Sequence, residues 1–370
     1  MANANLVSQP DFDRFLTALH CQEPDRVPPA ELKVENEVKA AFLGRPLPDP
    51  AADLQAPQAS LEAYLRADVE FTLAAGYDYI RIAPPVSYPR RDVARTHDYG
   101  VYGGAARTRA WAAEHRGPIA DRADFDAFPF PTADDVDYRW LEVGIPLAPP
   151  AMGVLTSIKG GGIWERVWMA MGFETFCFAL RDDPGLVADL FERFGRFYCE
   201  AFARAAAYPR VAGIWFGDDL AYTEGLMISP DIYRRHLFPW YREIAAICRQ
   251  RDLVFIFHSD GDLWPILDDL LDIGITALHP IEPKAMDIAE LKQAVGRRLC
   301  LIGNIDLGYT LTRGTPEEVE AEVRQRIRDV APGGGYCVGS SNTVTEYVPL
   351  ANYRAMLAAT ERYGRYPIGA

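Results

Sequence analysis

The stretch Leu253 to Asp262 reads Leu-Val-Phe-Ile-Phe-His-Ser-Asp-Gly-Asp: an apolar run of strand length that stops at an imidazole, His258, and then two carboxylates. A neutral imidazole beside carboxylates can hold zinc or another divalent cation, with a coordination position left open for substrate. The same residues can form an acid/base set without a metal, because each group tunes the proton affinity of the other. A structural role is the third reading, with Asp260 capping the helix expected near Leu263. A second strand-like run, Val211 to Phe216, ends at Asp218 and Asp219. Adjacent carboxylates repel unless a cation, a proton or a substrate lies between them. The catalytic candidates are therefore Asp218, Asp219, His258 and Asp260, with His258 and Asp260 as the candidate metal ligands.

These residues need a scaffold that gathers strand ends. The chain supplies strand-like runs at Ala30 to Val34, Asp78 to Ala83, Met152 to Ile158, Thr276 to His279, Leu299 to Ile302 and Tyr336 to Val338 besides the two above. Helix-periodic segments separate them, including Ser60 to Ala75, Trp164 to Leu180, Pro184 to Ala207, Pro230 to Arg251 with a kink at Pro239, and Pro316 to Val330 capped by Thr315. About eight short strands alternating with helices predict an α/β protein of the (β/α)8 TIM-barrel type. It would form a single domain over the whole chain, with an N-terminal extension. The irregular stretch 86–149 reads as an insertion or lid, in which Asp98-Tyr99-Gly100 and Trp111 are candidate wall residues.

In such a barrel the polar residues just beyond each strand face the ligand crevice. That rule nominates Glu31, Arg81, Lys159, Tyr222, His279, Glu282, Asn304, Asp306, Ser341 and Asn342 as substrate contacts, and predicts a largely acidic pocket. Gly160-Gly161-Gly162 permits close backbone approach to a ligand but matches neither the dinucleotide nor the P-loop spacing.

The 370 residues are 49% hydrophobic, ample for a large core, and carry a formal net charge of −14, which opposes nucleic-acid or anionic-membrane binding. The 6 cysteines are scattered without a Cys-x-x-Cys pair, as in a reduced cytoplasmic protein, and Cys337 should be core. The first residues, Met-Ala-Asn-Ala-Asn-Leu-Val, show no export signal, and no membrane span is expected.

Four segments in fixed order carry a family resemblance: Pro24-Asp25-Arg26-Val27-Pro28, Gly303-Asn304-Ile305-Asp306, Gly314-Thr315-Pro316-Glu317-Glu318-Val319 and Ala331-Pro332-Gly333-Gly334-Gly335-Tyr336. From about Phe12 to Pro367 the chain resembles the uroporphyrinogen decarboxylase superfamily, which contains porphyrin-pathway decarboxylases and corrinoid-linked methyltransferases on one barrel fold. True uroporphyrinogen decarboxylases carry an arginine-rich motif after the first strand, ending in Gln-Ala-Gly-Arg, that grips substrate carboxylates. Here that stretch is Glu31-Leu32-Lys33-Val34-Glu35-Asn36-Glu37, which would repel a polycarboxylate. The thiol-activating methyltransferases hold zinc on a His-x-Cys motif and a later cysteine. Here His258 matches, Asp260 replaces the first cysteine, and Ser341 and Asn342 stand where the second would fall.

Losing both thiolates hardens the site. The resemblance then implies the branch that demethylates a small O- or N-methyl donor and passes the methyl group to a corrinoid (cobalamin) on a separate protein. In that chemistry Co(I) is the nucleophile, and the enzyme protonates or polarises the leaving oxygen or nitrogen. An Asp-x-His-x-x-Gly corrinoid-binding signature is absent from the sequence. The alternatives are a carboxy-lyase for a smaller substrate, with Asp218 or Asp219 stabilising a protonated intermediate, and a non-catalytic tetrapyrrole-binding protein.

Overall fold

Strands flanked by helices on a parallel sheet are buried on both faces, which is why the apolar runs are nearly continuous rather than alternating. The computed structural model describes residues 9–48, 57–86, 93–98, 102, 107–112 and 116–369. Its centre is a curled parallel sheet of seven strands bonded in chain order: β1 Tyr79–Ile82, β2 Gly153–Thr156, β3 Val211–Gly217, β4 Val254–His258, β5 Ala277–His279, β6 Cys300–Ile305 and β7 Tyr336–Ser340. The register places Gly217 beside His258 and His258 beside His279, so three strand exits lie level. The ladder runs one step further, with the Asp218 N–H on the His258 carbonyl at 2.9 Å and the Ser259 N–H on the His279 carbonyl at 3.0 Å.

The expected strand Ala30 to Val34 is not a ladder member. This segment touches β7 through single bridges, Pro29 with Val338 and Val34 with Val344. Pro28 and Pro29 have no N–H to donate, which limits the pairing. Toward β1 the Tyr79 hydroxyl substitutes for a backbone bond, accepting from the Glu31 N–H and donating to the Glu31 carbonyl, both at 2.8 Å. Ala30 joins Tyr79, Leu155, Trp215, Ile256, Ala277, Ile302 and Cys337 in one inner core, and helix α1 (Phe12–Leu19) closes it with Phe15, Ala18 and Leu19. Gly153, at the start of β2, packs directly on the Phe12 ring, where a Cβ would come within 2.0 Å. The plug therefore lies at the N-terminal ends of the strands, leaving their C-terminal ends for a ligand. Cys337 is core as expected, its sulfur 4.0 Å from that of Cys300.

Several helices depart from the periodicity. The expected helix Trp164 to Leu180 is two, Ile163–Met171 and Phe173–Asp182, broken at Gly172, whose φ is +83°. Pro239 kinks nothing: a π turn over Tyr233–Leu237 ends just before it, so the proline sits in the first turn of Phe238–Gln250, where no donor is missed. The helix assigned to Ser60 starts earlier, at Gln58 after Pro57. Beyond β4, Asp262 rather than Asp260 accepts from the Trp264 N–H at 3.0 Å, opening a 3-10 turn that leads into Leu267–Ile273. Thr315 caps Pro316–Val330 as expected.

Within 86–149, Val93–Asp98 pairs antiparallel with Arg107–Ala112, and helices Arg122–Ala127 and Arg139–Leu147 follow. Asp98 ends one hairpin strand and Trp111 pairs with Ala94 on the other, while Tyr99 and Gly100 lie outside the described residues. No described helix is long and apolar enough to cross a membrane.

Candidate metal-binding and catalytic site

His258 ends β4 with its ring buried, and its Nδ1 lies 2.7 Å from the Nδ1 of His279, which ends β5. One imidazole must donate to the other, so the two rings cannot both be doubly protonated without losing the contact. Burial holds His258 below the usual imidazole range, with Asp219 opposing and Arg81 assisting. His279, fully buried, is held well below by burial and then by the charges of His258 and Arg81. Both rings are therefore neutral. When His258 donates from Nδ1, its Nε2 carries a free lone pair; when His279 donates, that Nε2 carries the proton and faces Asp219, 3.4 Å away. The first tautomer is the one a metal requires, with His279 as the partner that fixes it.

The two adjacent aspartates separate. Asp218 turns inward, wholly buried, and accepts from the N–H groups of Trp164 at 2.8 Å and Glu165 at 2.9 Å and from the Tyr241 hydroxyl at 2.7 Å. It caps helix Ile163–Met171, and burial pushes its carboxyl up to about 7 against those bonds. Gly162 is needed for this contact, since a Cβ there would come 2.2 Å from the Asp218 carboxyl carbon. The expectation of two carboxylates sharing a ligand is corrected: Asp218 positions the helix, and only Asp219, with 41% of its side chain exposed, faces the site.

Asp219 Oδ1 also accepts from the Asp260 N–H at 3.2 Å. Asp260 takes the Asn342 amide on Oδ2, while its Oδ1 is buried with no hydrogen-bond partner among the described residues. Burial, then Asp219 and Glu282, push its carboxyl up to about 8. Ligand atoms of Asp219, His258 and Asp260 all lie within 4.8 Å of one another. An orphaned buried oxygen beside an imidazole and a second carboxylate is what a divalent cation would complete, so the residues present fit a metal. Asp219 joins the expected pair, His258 and Asp260, as a third candidate ligand.

The other strand-exit candidates mostly hold loops. Glu282 accepts from the Thr223 hydroxyl at 2.6 Å and the Gly261 N–H at 3.1 Å. Asp306 accepts from the N–H groups of Gly308 and Tyr309 at 2.7 and 2.9 Å, and Ser341 Oγ from that of Leu307 at 3.0 Å. Asn304 is buried and donates to the Ile281 carbonyl at 2.9 Å. Tyr222 stands exposed on a two-residue strand, Ala221–Tyr222. None of these five residues, nor His279, Asp260 or Asn342, lines the cavity of about 550 Å³ that opens beside His258 and Asp219.

That cavity is walled instead by Glu31, Arg81, Lys159, Trp140, Trp215 and Glu165, among others. Glu165 did not stand out in the sequence, where it reads as an ordinary acidic residue in a helix's first turn; the Gly162-x-x-Glu165 spacing was the available signal. Its Oε2 accepts from the Gly162 N–H at 2.9 Å. Burial, followed by the charges of Asp219 and Asp218, raises its carboxyl well above the usual range, so it keeps its proton to higher pH than an ordinary carboxyl.

Glu31 accepts from the N–H of Ser340 at 2.6 Å and its hydroxyl at 2.7 Å, tying the N-terminal segment to the end of β7. Burial pushes Glu31 from 4.5 up to about 8. Across that window the folded chain keeps a proton that the unfolded chain releases, so stability falls as pH rises, by about 1.4 kcal/mol per pH unit for one proton, and levels off above it. Glu31→Gln is expected to remove that share of the slope; urea unfolding at about pH 5 and about pH 8 would contradict this if variant and parent lost stability equally.

The family model for uroporphyrinogen decarboxylase (URO-D) matches residues 156–363, more than half of the chain. The chain belongs to the uroporphyrinogen decarboxylase family. Among curated relatives, the methylcobamide:CoM methyltransferase MtaA of Methanosarcina barkeri is 30% identical over 182 residues, covering 47% of this chain and 50% of the relative. The uroporphyrinogen decarboxylase of Methylobacillus flagellatus is 31% identical over 104 residues, 28% of either chain. This family member thus spans about half the length, or less, of the curated relatives it matches. A solved methyltransferase from Methanosarcina mazei superposes with a TM-score of 0.66 at 18% identity, covering 95% of this chain and 98% of that one, which shows the shared fold.

Proposed function

We propose that this uroporphyrinogen decarboxylase family member is a methyltransferase that demethylates a small O- or N-methyl donor and hands the methyl group to a corrinoid carried by a separate protein. It would act as a single barrel domain, closed at the eighth position by residues 28–34, with 86–149 as its lid. The similarity to the Methanosarcina barkeri enzyme supports the reaction class. The observation that carries the reading is the unpartnered Asp260 Oδ1 beside His258 and Asp219. With one nitrogen and two oxygens and no thiolate, this ligand set suits zinc or a harder divalent cation facing an ether oxygen or amine rather than a thiol.

A bound cation would polarise the donor's oxygen or nitrogen, and the partner's reduced corrinoid would supply the nucleophile. The chain's own residues do the rest. His279 orients the His258 ring through Nδ1, Asn342 holds the Asp260 carboxylate, and the Asp218 cap fixes the helix that carries Glu165. Glu165 keeps a proton within the cavity for the leaving oxygen or nitrogen. Trp140 and Trp215 give the cavity aromatic walls against which the donor would be oriented.

The test is elemental analysis of the purified, tag-free protein beside Asp219→Asn, His258→Ala and Asp260→Asn. About one divalent metal per chain is expected in the parent and a sharp loss in each variant. Metal retained at parental stoichiometry in all three variants would remove the cation from this site.

A further inference from the structure

We infer that the cavity takes a small organic carboxylate with an aromatic body, its carboxylate paired with Arg81. Naming that ligand as the methyl donor rests on the methyl-transfer reading; the binding site itself does not.

Arg81 lies on β1 and lines the cavity. Its Nε donates to the Leu32 carbonyl at 2.5 Å and its Nη1 to the Ser157 hydroxyl, both neutral acceptors. Among the described residues no carboxylate lies within 4.0 Å of it, and its Nη2 makes no hydrogen bond. Neighbouring acids are already engaged: Asp68 with the Lys39 ammonium, and Glu31 with Ser340. A guanidinium stays charged at any physiological pH, and holding one out of bulk water without a counter-charge costs several kcal/mol. Two neutral acceptors pin this one so that its remaining N–H groups face the cavity, which is the arrangement a carboxylate completes.

The same wall carries further recognition elements. The Lys159 ammonium, 6.0 Å from the centre of the Trp140 ring, adds positive charge. Trp140 meets Tyr64 edge-on at 5.6 Å, and Trp215 contributes an indole N–H that is buried without a partner. All four residues line the cavity, whose volume of about 550 Å³ leaves ample room for a ligand with one ring. The cavity therefore has two poles, a cationic one at Arg81 and Lys159 and an acidic one at Asp219, Glu165 and the neutral His258. An anion bound with its carboxylate at the first presents a neutral ether or amine to the second. Arg81, His258 and Asp219 all line this one cavity, so one small molecule can span the two poles. This basic wall adds a cationic pole to the largely acidic pocket expected at the strand exits.

The experiment is calorimetric titration of the full chain with 4-methoxybenzoate, methoxyacetate and the neutral 4-methoxybenzamide. The wild-type protein is expected to bind 4-methoxybenzoate at least 10-fold more tightly than the amide, and methoxyacetate more weakly than the ring-bearing acid. Arg81→Gln is expected to weaken carboxylate binding about 10- to 100-fold and leave the amide within about 2-fold, with Arg81→Lys in between. Should Arg81→Gln fail to fold, the wild-type comparison of acid with amide still decides. Carboxylates that bind no better than the amide, or equal losses for acid and amide in Arg81→Gln, would overturn the inference. The two readings fail separately. Arg81-dependent carboxylate binding without methylation of any corrinoid keeps the anion site and removes the methyl-transfer reading. Corrinoid methylation from neutral donors, unchanged in Arg81→Gln, does the reverse.

Discussion

His258→Ala is expected to lower methyl transfer to the corrinoid by about 10³-fold or more. The alanine removes the one nitrogen among the three candidate ligands found in the described residues and leaves His279 Nδ1 without its 2.7 Å partner in a buried setting. Lewis-acid polarisation of a leaving oxygen or nitrogen contributes several kcal/mol at the transition state, and about 4 kcal/mol corresponds to three orders of magnitude in rate. The effect should fall on kcat, because the alanine leaves Arg81 and the aromatic walls untouched. Asp219→Asn is the milder companion: it keeps the shape and one acceptor oxygen but removes the charge facing His258. Steady-state rates with saturating donor and corrinoid protein check both, and a kcat within about 10-fold of parent in His258→Ala would contradict the assignment.

Glu165→Gln is expected to reduce the rate by about 10²- to 10⁴-fold for donors with a poor leaving group, the range general acid catalysis typically contributes. The pH profile carries the sign. Glu165 is raised well above the usual carboxylate range, chiefly by burial and next by Asp219, so the catalytically competent, protonated form persists to higher pH than in an ordinary carboxyl and is lost as pH rises further. The parent should therefore show a limb that falls with rising pH and that Glu165→Gln abolishes. Loading the site with a divalent cation offsets the charge of Asp219 and Asp260 and should move that limb to lower pH. A limb that persists in Glu165→Gln would assign the proton to another group.

Much of this site was legible from local pattern. The apolar run ending at His258, and the aspartates two residues on and at the preceding strand exit, follow from the rule that parallel strands present chemistry at their C-terminal ends. What local pattern could not supply was direction. Asp218 and Asp219 are neighbours in sequence, yet the first turns inward because the N-terminus of Ile163–Met171, more than 50 residues upstream, offers two free N–H groups to it. Glu165 owes its raised proton affinity chiefly to burial and then to the charges of Asp219 and Asp218, which only the fold brings beside it. His279 reads as a strand-exit ligand, but the register of β4 with β5 sets it level with His258, where its ring supports the other imidazole rather than the cavity. The eighth strand was over-read: Ala30 to Val34 alternates like a strand, while Pro28 and Pro29 beside it withhold the donors a ladder needs. Arg81 could be placed at a strand exit from sequence. Its freedom to meet an anion became visible only once Asp68 was seen to be taken by Lys39.

The most direct test of the central claim follows the Co(I) absorption of a reduced corrinoid protein mixed with this chain and a methoxylated donor. The account predicts loss of the Co(I) signal with stoichiometric demethylation of the donor, dependent on the chain and suppressed in His258→Ala. Donor turnover at the same rate with no corrinoid present, or release of CO2 from the donor while the Co(I) signal stays constant, would contradict it.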